Sequence, residues 1–436
     1  MTSGMMQKTR FLPDINRKNN VRSSHQWKKE MKEPNQGSAV REKKQSSTVT
    51  ENDIAQFRNG LHQNLCVSML QEGFHRSFEE LFSLLKHWST NRLAAGPDSS
   101  LWLQPSLEEQ PHKLEMLKKH LTRAEATQRA DQYEEVNENY LALAKFFSEP
   151  EDRWLRLHFY KLSLVAACKV KLDSGRKEAE ANAYLGQVYQ EQGDLELARE
   201  HLEVFHHMAV GRPWQDKSGQ THQSKACKKL CRVYMLLAQG HLQSKEYRPA
   251  IDMLNKAYEL AKEGGDKKME AEAAYTVGLA YQSTGDRRTA RQFLNISVEI
   301  YTTLEDPGSL GKTYQAIAES LGSEGKVNES IQYLQKYAEI SQKSDHHQNL
   351  QDACMSLGFI HISNGQYDSA HKCFDQAYDM AGSLDSVAQL QKAQVYVGIA
   401  RAHAMLSAYT THIKMDKPEN IHTLIHWKGT QKFNMS

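Results

Sequence analysis

Proline is scarce in this 436-residue chain: ten in all, and none between Pro307 and Pro418. The residue that most strongly interrupts helix interiors is therefore missing from a long C-terminal stretch. Strand-like alternation of useful length is absent as well, which argues against a sheet protein. No run approaches the roughly 18 apolar residues of a membrane span, so no membrane partner is expected. The N-terminus lacks an apolar run of signal-peptide length. The expected compartment is cytosol or nucleus, with sequons such as Asn295-Ile-Ser297 unused. Six cysteines, at 66, 168, 227, 231, 354 and 373, follow no framework spacing and are expected to be free thiols packed as small apolar residues. Apolar residues reach only 39% and aromatics 8%, with a mean hydropathy of −0.69. That excludes one large spherical core and suits an elongated molecule.

Net charge is +2, too small for polyanion binding by bulk electrostatics, so no nucleic-acid partner is expected. The charge is unevenly placed. Residues 1–46 carry 11 basic against 4 acidic side chains, leaving 44 basic against 49 acidic for the rest. Residues 1–50 show no apolar period and read as a disordered basic arm, able to meet an acidic surface such as a microtubule.

What the chain does have is a beat. Gly278, Tyr281, Gly285, Ala290 and Leu294 recur forty residues later as Ala318, Leu321, Gly325, Ser330 and Leu334, and again as Gly358, His361, Gly365, Ala370 and Phe374. One period earlier stand Ala238, His241, Lys245, Ala250 and Leu254, and Gly398 opens a further copy. Gly186, Tyr189, Gly193, Ala198 and Leu202 form one more, 52 residues before the next, so an insertion lies near 208–223. A degenerate copy is expected at 130–144. Each slot has a task. A small residue admits a crossing helix, the next Gly or polar residue ends the first helix in a left-handed cap, and Ala plus Leu/Phe four apart pack the second helix back on the first. A single pair cannot bury its apolar face, so pairs must stack.

"YLGQVYQEQGDLELAREHL", "YTVGLAYQSTGDRRTARQFL" and "SLGFIHISNGQYDSAHKCF" resemble tetratricopeptide repeats, whose pattern runs Leu-Gly-x2-Tyr…Ala-x3-Phe. The departures are Asn182, Tyr234, Ala274, Tyr314 and Cys354 in the usual Trp slot, no closing Pro, and extra residues in joins such as 262–268, 304–310 and 343–349. HEAT repeats share the period but do not demand these slots. The expected fold is all-α, a tetratricopeptide-repeat right-handed superhelix of stacked helix pairs with a period of about 40 residues. The boundaries read as a disordered arm over 1–50, an N-terminal helical region with degenerate repeats over 51–175, the array over 176–412 and a tail over 413–436.

Chemistry is thin. "DPGSLGKT" (306–313) ends like a phosphate-cradling loop but lacks its first glycine, at Asp306, and a preceding strand; Gly311 and Lys312 read as opening a helix. Cys227 and Cys231 lie one turn apart, yet the histidines that tempt, His222 and His241, sit at no finger-like distance. His206/His207 and His346/His347 read as solvated. Neither catalysis, a cofactor nor a metal is expected, and what remains is binding.

In the resembling family, first helices line a groove that takes a partner segment. That spacing selects Arg232, Met235, Gln239; Glu272, Tyr275, Leu279; Lys312, Gln315, Glu319; Asp352, Met355, Phe359; and Lys392, Val395, Ile399. The last two sets make either an adaptable apolar trough or a surface covered by "HIKMDKPENIHTLIHW" folding back. The Lys and Asn of carboxylate-clamping chaperone binders are replaced at every matching position, the first by Met235, Tyr275, Gln315 or Met355 and the second by Gln239, Leu279, Glu319 or Phe359, so a cochaperone is not expected. Trp214 in the insertion is either an interface anchor or a cap on its own helix pair.

The less regular stretches 57–85, 100–125, 154–181 and 262–275 resemble the family of tetratricopeptide repeat protein 29, components of motile cilia and the sperm flagellum, over about 50–427. The resemblance implies a non-catalytic axonemal scaffold, in cytoplasm and cytoskeleton, that supports assembly or docking of inner dynein arms and hence motility. Its implied partners are inner dynein arm components, a MYND-type zinc-finger protein, intraflagellar transport proteins and the microtubule doublet. The alternative is a soluble adaptor for ciliary transport cargo that is not retained in the axoneme. The N-terminal arm and the end "HWKGTQKFNMS" depart from that family's pattern.

Overall fold

The computed structural model describes residues 58–384 and 386–414, with short helical pieces at 421–422, 425–426 and 428–429. The basic arm and most of the C-terminal tail lie outside the described residues. Among those described there are seventeen α-helices and no strand, only a lone antiparallel bridge between Gln215 and Thr221.

Five helices open the array: α1 (Leu61–Gln71), α2 (His75–Ala95), the short α3 (Ser100–Leu103), α4 (Pro111–Arg129) and α5 (Tyr133–Phe146). The stretch read as a degenerate copy forms α5, which packs on α4 and pairs closely with α6 (Arg153–Ala167). Regular pairs follow: α7 (Arg176–Gln192) with α8 (Leu195–Ala209), α9 (His222–Gln243) with α10 (Tyr247–Glu263), and α11 (Lys267–Thr284) with α12 (Arg287–Thr303). Then come α13 (Pro307–Ser323) with α14 (Val327–Lys343), and α15 (His347–Ser363) with α16 (Tyr367–Ser383). The last helix, α17 (Val387–Lys414), packs on α16. This is the stacked-pair tetratricopeptide architecture.

The recurring slots meet one another. Gly358 is buried against Phe374, whose ring a Cβ at that position would overlap, and a Cβ on Gly278 would reach Leu294 Cγ at 2.7 Å. The small slots Ala198, Ala250, Ala290, Ser330 and Ala370 are all fully buried, as are Leu202, Leu254, Leu294 and Phe374. Where serine replaces alanine, the hydroxyl is satisfied: Ser330 Oγ donates to the carbonyl of Ala318, itself in the glycine slot, at 2.7 Å. The turn slot is left-handed in each repeat, with φ of 87° at Gly193 and Gly285. Lys245 takes the same turn at φ 60° without a glycine, a conformation that costs about 1–2 kcal/mol for an L residue.

Ahead of the repeats a different device ties the helices. Glu125 on α4 is buried and accepts from the backbone N–H of Ser77 at 2.8 Å, from Ser77 Oγ at 2.7 Å and from Arg129 at 2.6 Å. It thereby caps the first turn of α2, whose own cap residue Phe74 makes no side-chain cap bond. Burial pushes the Glu125 carboxyl up, but the Ser77 donors and Arg129 outweigh it and hold it below its ordinary value. A carboxylate depressed in the folded state adds stability above its unfolded pKa of about 4.3, and that stability is lost as pH falls through the folded value. Glu125→Gln is therefore expected to cost about 1–3 kcal/mol at neutral pH. In urea titrations the gap to the parent should close on acidification below the ordinary carboxylate range; a pH-independent gap would refute the cap.

Candidate functional site: the first-helix face

The first helices of successive pairs touch each other as well as their partners: α7 with α9, α9 with α11, α11 with α13 and α13 with α15. They form one continuous layer. Of the outer positions of the expected groove sets, Arg232, Gln239, Glu272, Lys312, Glu319, Asp352 and Lys392 are exposed, while Leu279 is half-buried. The middle positions divide. Met235, Tyr275 and Gln315 are half-buried, and Tyr275 with Leu279 leans on the cluster of Leu294, Ala316 and Ile317. Burial raises the Tyr275 hydroxyl pKa above its ordinary value.

Met355 corrects the expectation. It is 7% exposed and packs with Cys354, Phe374 and Ala393. The following helix α17 covers it, so it belongs to the core rather than the groove. Phe359 is 37% exposed and stands edge-on to Phe374 and Tyr396, with ring centroids 5.5 and 4.7 Å away.

Val395 and Ile399 begin a stripe. With Leu406, Tyr409 and Ile413 they recur at helical spacing along one face of α17, and all five are exposed. Among the described residues α17 is the last helix of the array. Of the segment read as folding back, Ile421 and Ile425 are exposed and the remainder mostly lies outside the described residues. The apolar face is thus continuous from Phe359 through Tyr396 to the end of α17, and a partner segment presenting apolar side chains fits it.

The insertion folds on its own foundation. Asp216 accepts from the backbone N–H groups of Ser218 and Gln220 and pairs with Lys225, and the hydrogen bond from Lys225 leads the causes that lower its carboxyl pKa. Trp214 is half-buried against the main core, edge-on to His222 at 6.2 Å. This packing seats the loop on the core. The "DPGSLGKT" string begins α13: Asp306 caps it by accepting from Ser309 N–H at 3.1 Å, and Gly311 faces the Tyr337 ring. The string builds a helix start, with its first turn already capped by a carboxylate.

Neither histidine weighed beside Cys227 and Cys231 reaches them. His222 Nε2 lies 3.1 Å from Glu180 and His241 Nδ1 lies 2.7 Å from Glu246. Cys227 instead sits beside His206 and Glu263. His206, read as solvated, is half-buried. Its separation from Cys227 in sequence hid the arrangement.

The Tetratricopeptide repeat family model matches residues 351–383, and the Anaphase-promoting complex subunit 5 model matches 212–279. Tetratricopeptide repeat protein 29 of Homo sapiens is 42% identical over 383 residues, 88% of this chain and 81% of that protein. The Rattus norvegicus protein of that name is 46% identical over 238 residues, 55% of this chain and 50% of its own. The Trypanosoma brucei brucei protein of that name is 23% identical over 79% of this chain and 68% of its own.

Proposed function

The chain belongs to the tetratricopeptide repeat protein 29 family, and from that premise we propose that it is a protein-binding scaffold of motile cilia and sperm flagella. On this reading it helps to assemble or dock inner dynein arms. The observation that carries the binding part is the apolar face that starts at Phe359 on α15, the last first helix of the layer, and runs through Val395 and Ile399 to Ile413 on α17. The flagellar setting rests on the family. Inner-arm dynein components, a MYND-type zinc-finger protein and intraflagellar transport proteins are the partners the reading names. It places the protein on the axonemal doublets.

Extraction of isolated flagella with detergent and then high salt tests the setting. A scaffold stays with the doublets through detergent. Release with the membrane-plus-matrix fraction would sink the reading and leave a transport adaptor. The face is tested separately by Val395→Asp combined with Leu406→Asp, both on exposed positions. Crosslinks between α17 and flagellar partners should fall at least about tenfold, because a buried unpaired charge costs more than the roughly 1.4 kcal/mol that tenfold requires. Helix content should be unchanged. Crosslinks that persist would remove this face from the binding surface.

A further inference from the structure

Three side chains with metal-ligand chemistry converge beneath the insertion. His206 comes from the last turn of α8, Cys227 from α9 and Glu263 from the end of α10. One ligand atom from each lies within 4.8 Å of the other two, and His206 Nε2 is 3.1 Å from Glu263 Oε1. Cys227 is fully buried. His206 and Glu263 are partly exposed and line a cavity of about 470 Å³ with Glu203, Tyr234, Lys256 and Glu259.

We propose that His206, Cys227 and Glu263 form a zinc site whose fourth position is taken by water from the cavity. Nitrogen, sulfur and carboxylate oxygen together suit zinc, and three protein ligands with one open position is a usual tetrahedral arrangement. A thiolate disfavours calcium and magnesium, which take oxygen ligands. Two further features hold the ligands in place. Gln223 Nε2 donates to Glu263 Oε1 at 2.8 Å, the kind of outer contact that orients a ligating carboxylate. Gly264 has no left-handed turn to make, yet a Cβ there would stand 2.8 Å from Cys227 Cβ. Its bareness lets the end of α10 settle on Cys227, and Ser224 Oγ fastens that end by donating to the Gly264 carbonyl at 2.9 Å.

Without metal, Glu263 is an acceptor for Gln223 and the Cys227 thiol, with His206 beside it. Burial and the Glu263 charge push that thiol up to about 12, so it stays neutral. On binding, the thiol proton leaves to solvent, the sulfur lone pair, the neutral His206 nitrogen and the Glu263 carboxylate form the bonds to Zn²⁺, and the hydrated ion keeps one water and releases the rest. The site would tie three consecutive helices where the 40-residue spacing is broken.

The test uses the full chain, stripped with a chelator that is then removed, and titrated with Zn²⁺ and separately with Co²⁺ as an optical reporter. The expected result is one equivalent bound, with the strong visible bands of tetrahedral Co²⁺ and a thiolate-to-cobalt charge-transfer band. Cys227→Ser should abolish that band. His206→Gln, at a partly exposed position that tolerates change, should weaken binding more than about 100-fold, and Gln223→Leu about 10- to 100-fold. Cys231→Ser should change nothing, since its sulfur lies toward Met235 at 3.9 Å. Circular dichroism checks each fold. If Cys227→Ser does not fold, His206→Gln and Gln223→Leu decide. No stoichiometric binding by the parent, a band that survives Cys227→Ser, or affinity indifferent to His206→Gln would each overturn the site.

Discussion

Phe374→Ala is expected to cost about 3–5 kcal/mol and to melt α15, α16 and α17 before the rest of the array. Phe374 is fully buried and lies against Gly358, Phe359 and Tyr396. Its cluster of Cys354, Met355, Ala370, Ala377, Ala393 and Ala400 contains nothing upstream of Leu350. Repeats contact only their neighbours, so a local loss has a local consequence. Hydrogen exchange by mass spectrometry should report faster exchange over 347–414 and unchanged protection over 176–284. A uniform rise along the whole chain would show that the array melts as one body and would refute this division.

The repeat slots were legible because each is a contact between residues at fixed short separations. Gly358 and Phe374 lie sixteen apart, as do Gly278 and Leu294 and the Ala318–Leu334 pair, so a period in the letters is a period in the packing. Groove phase was only half legible. Most outer positions are exposed, with Leu279 half-buried, but the middle position depends on the next pair: Met355 packs with Ala393 of α17, while Val395, one period on, sits on α17 itself, the last helix of the array among the described residues. A sequence pattern that treats repeats as equivalent misses the end of the array. The His206, Cys227 and Glu263 trio was illegible for a related reason. Its members are 21 and 36 residues apart, across an insertion that belongs to no repeat, and only the stacking of α8 to α10 brings them together. The Glu125 cap on α2 was equally hidden, since its partner Ser77 stands 48 residues away.

Phe159→Ala is expected to lower the stability of the main body by a similar amount, about 3–5 kcal/mol, but with a global signature. Phe159 is fully buried, stacked on Phe147 at 5.8 Å and beside Tyr140 at 6.5 Å. One contiguous cluster runs from Cys66 to Ala273 through Leu81, Leu117, Leu155, Leu202 and Leu230, so removing this ring opens a cavity in a core that helices α1 to α11 share. The surrounding rings are themselves held by neighbours on α4, α5 and α6 and collapse poorly into the space. Urea denaturation followed by circular dichroism should show the main transition at lower urea with an unchanged slope, because the surface exposed on unfolding stays the same. The two clusters share no residue, so in the Phe159→Ala/Phe374→Ala double variant the two losses should add to within about 0.5 kcal/mol. A larger coupling would mean that the terminal pairs and the main body unfold together, and the array would have to be treated as one cooperative unit.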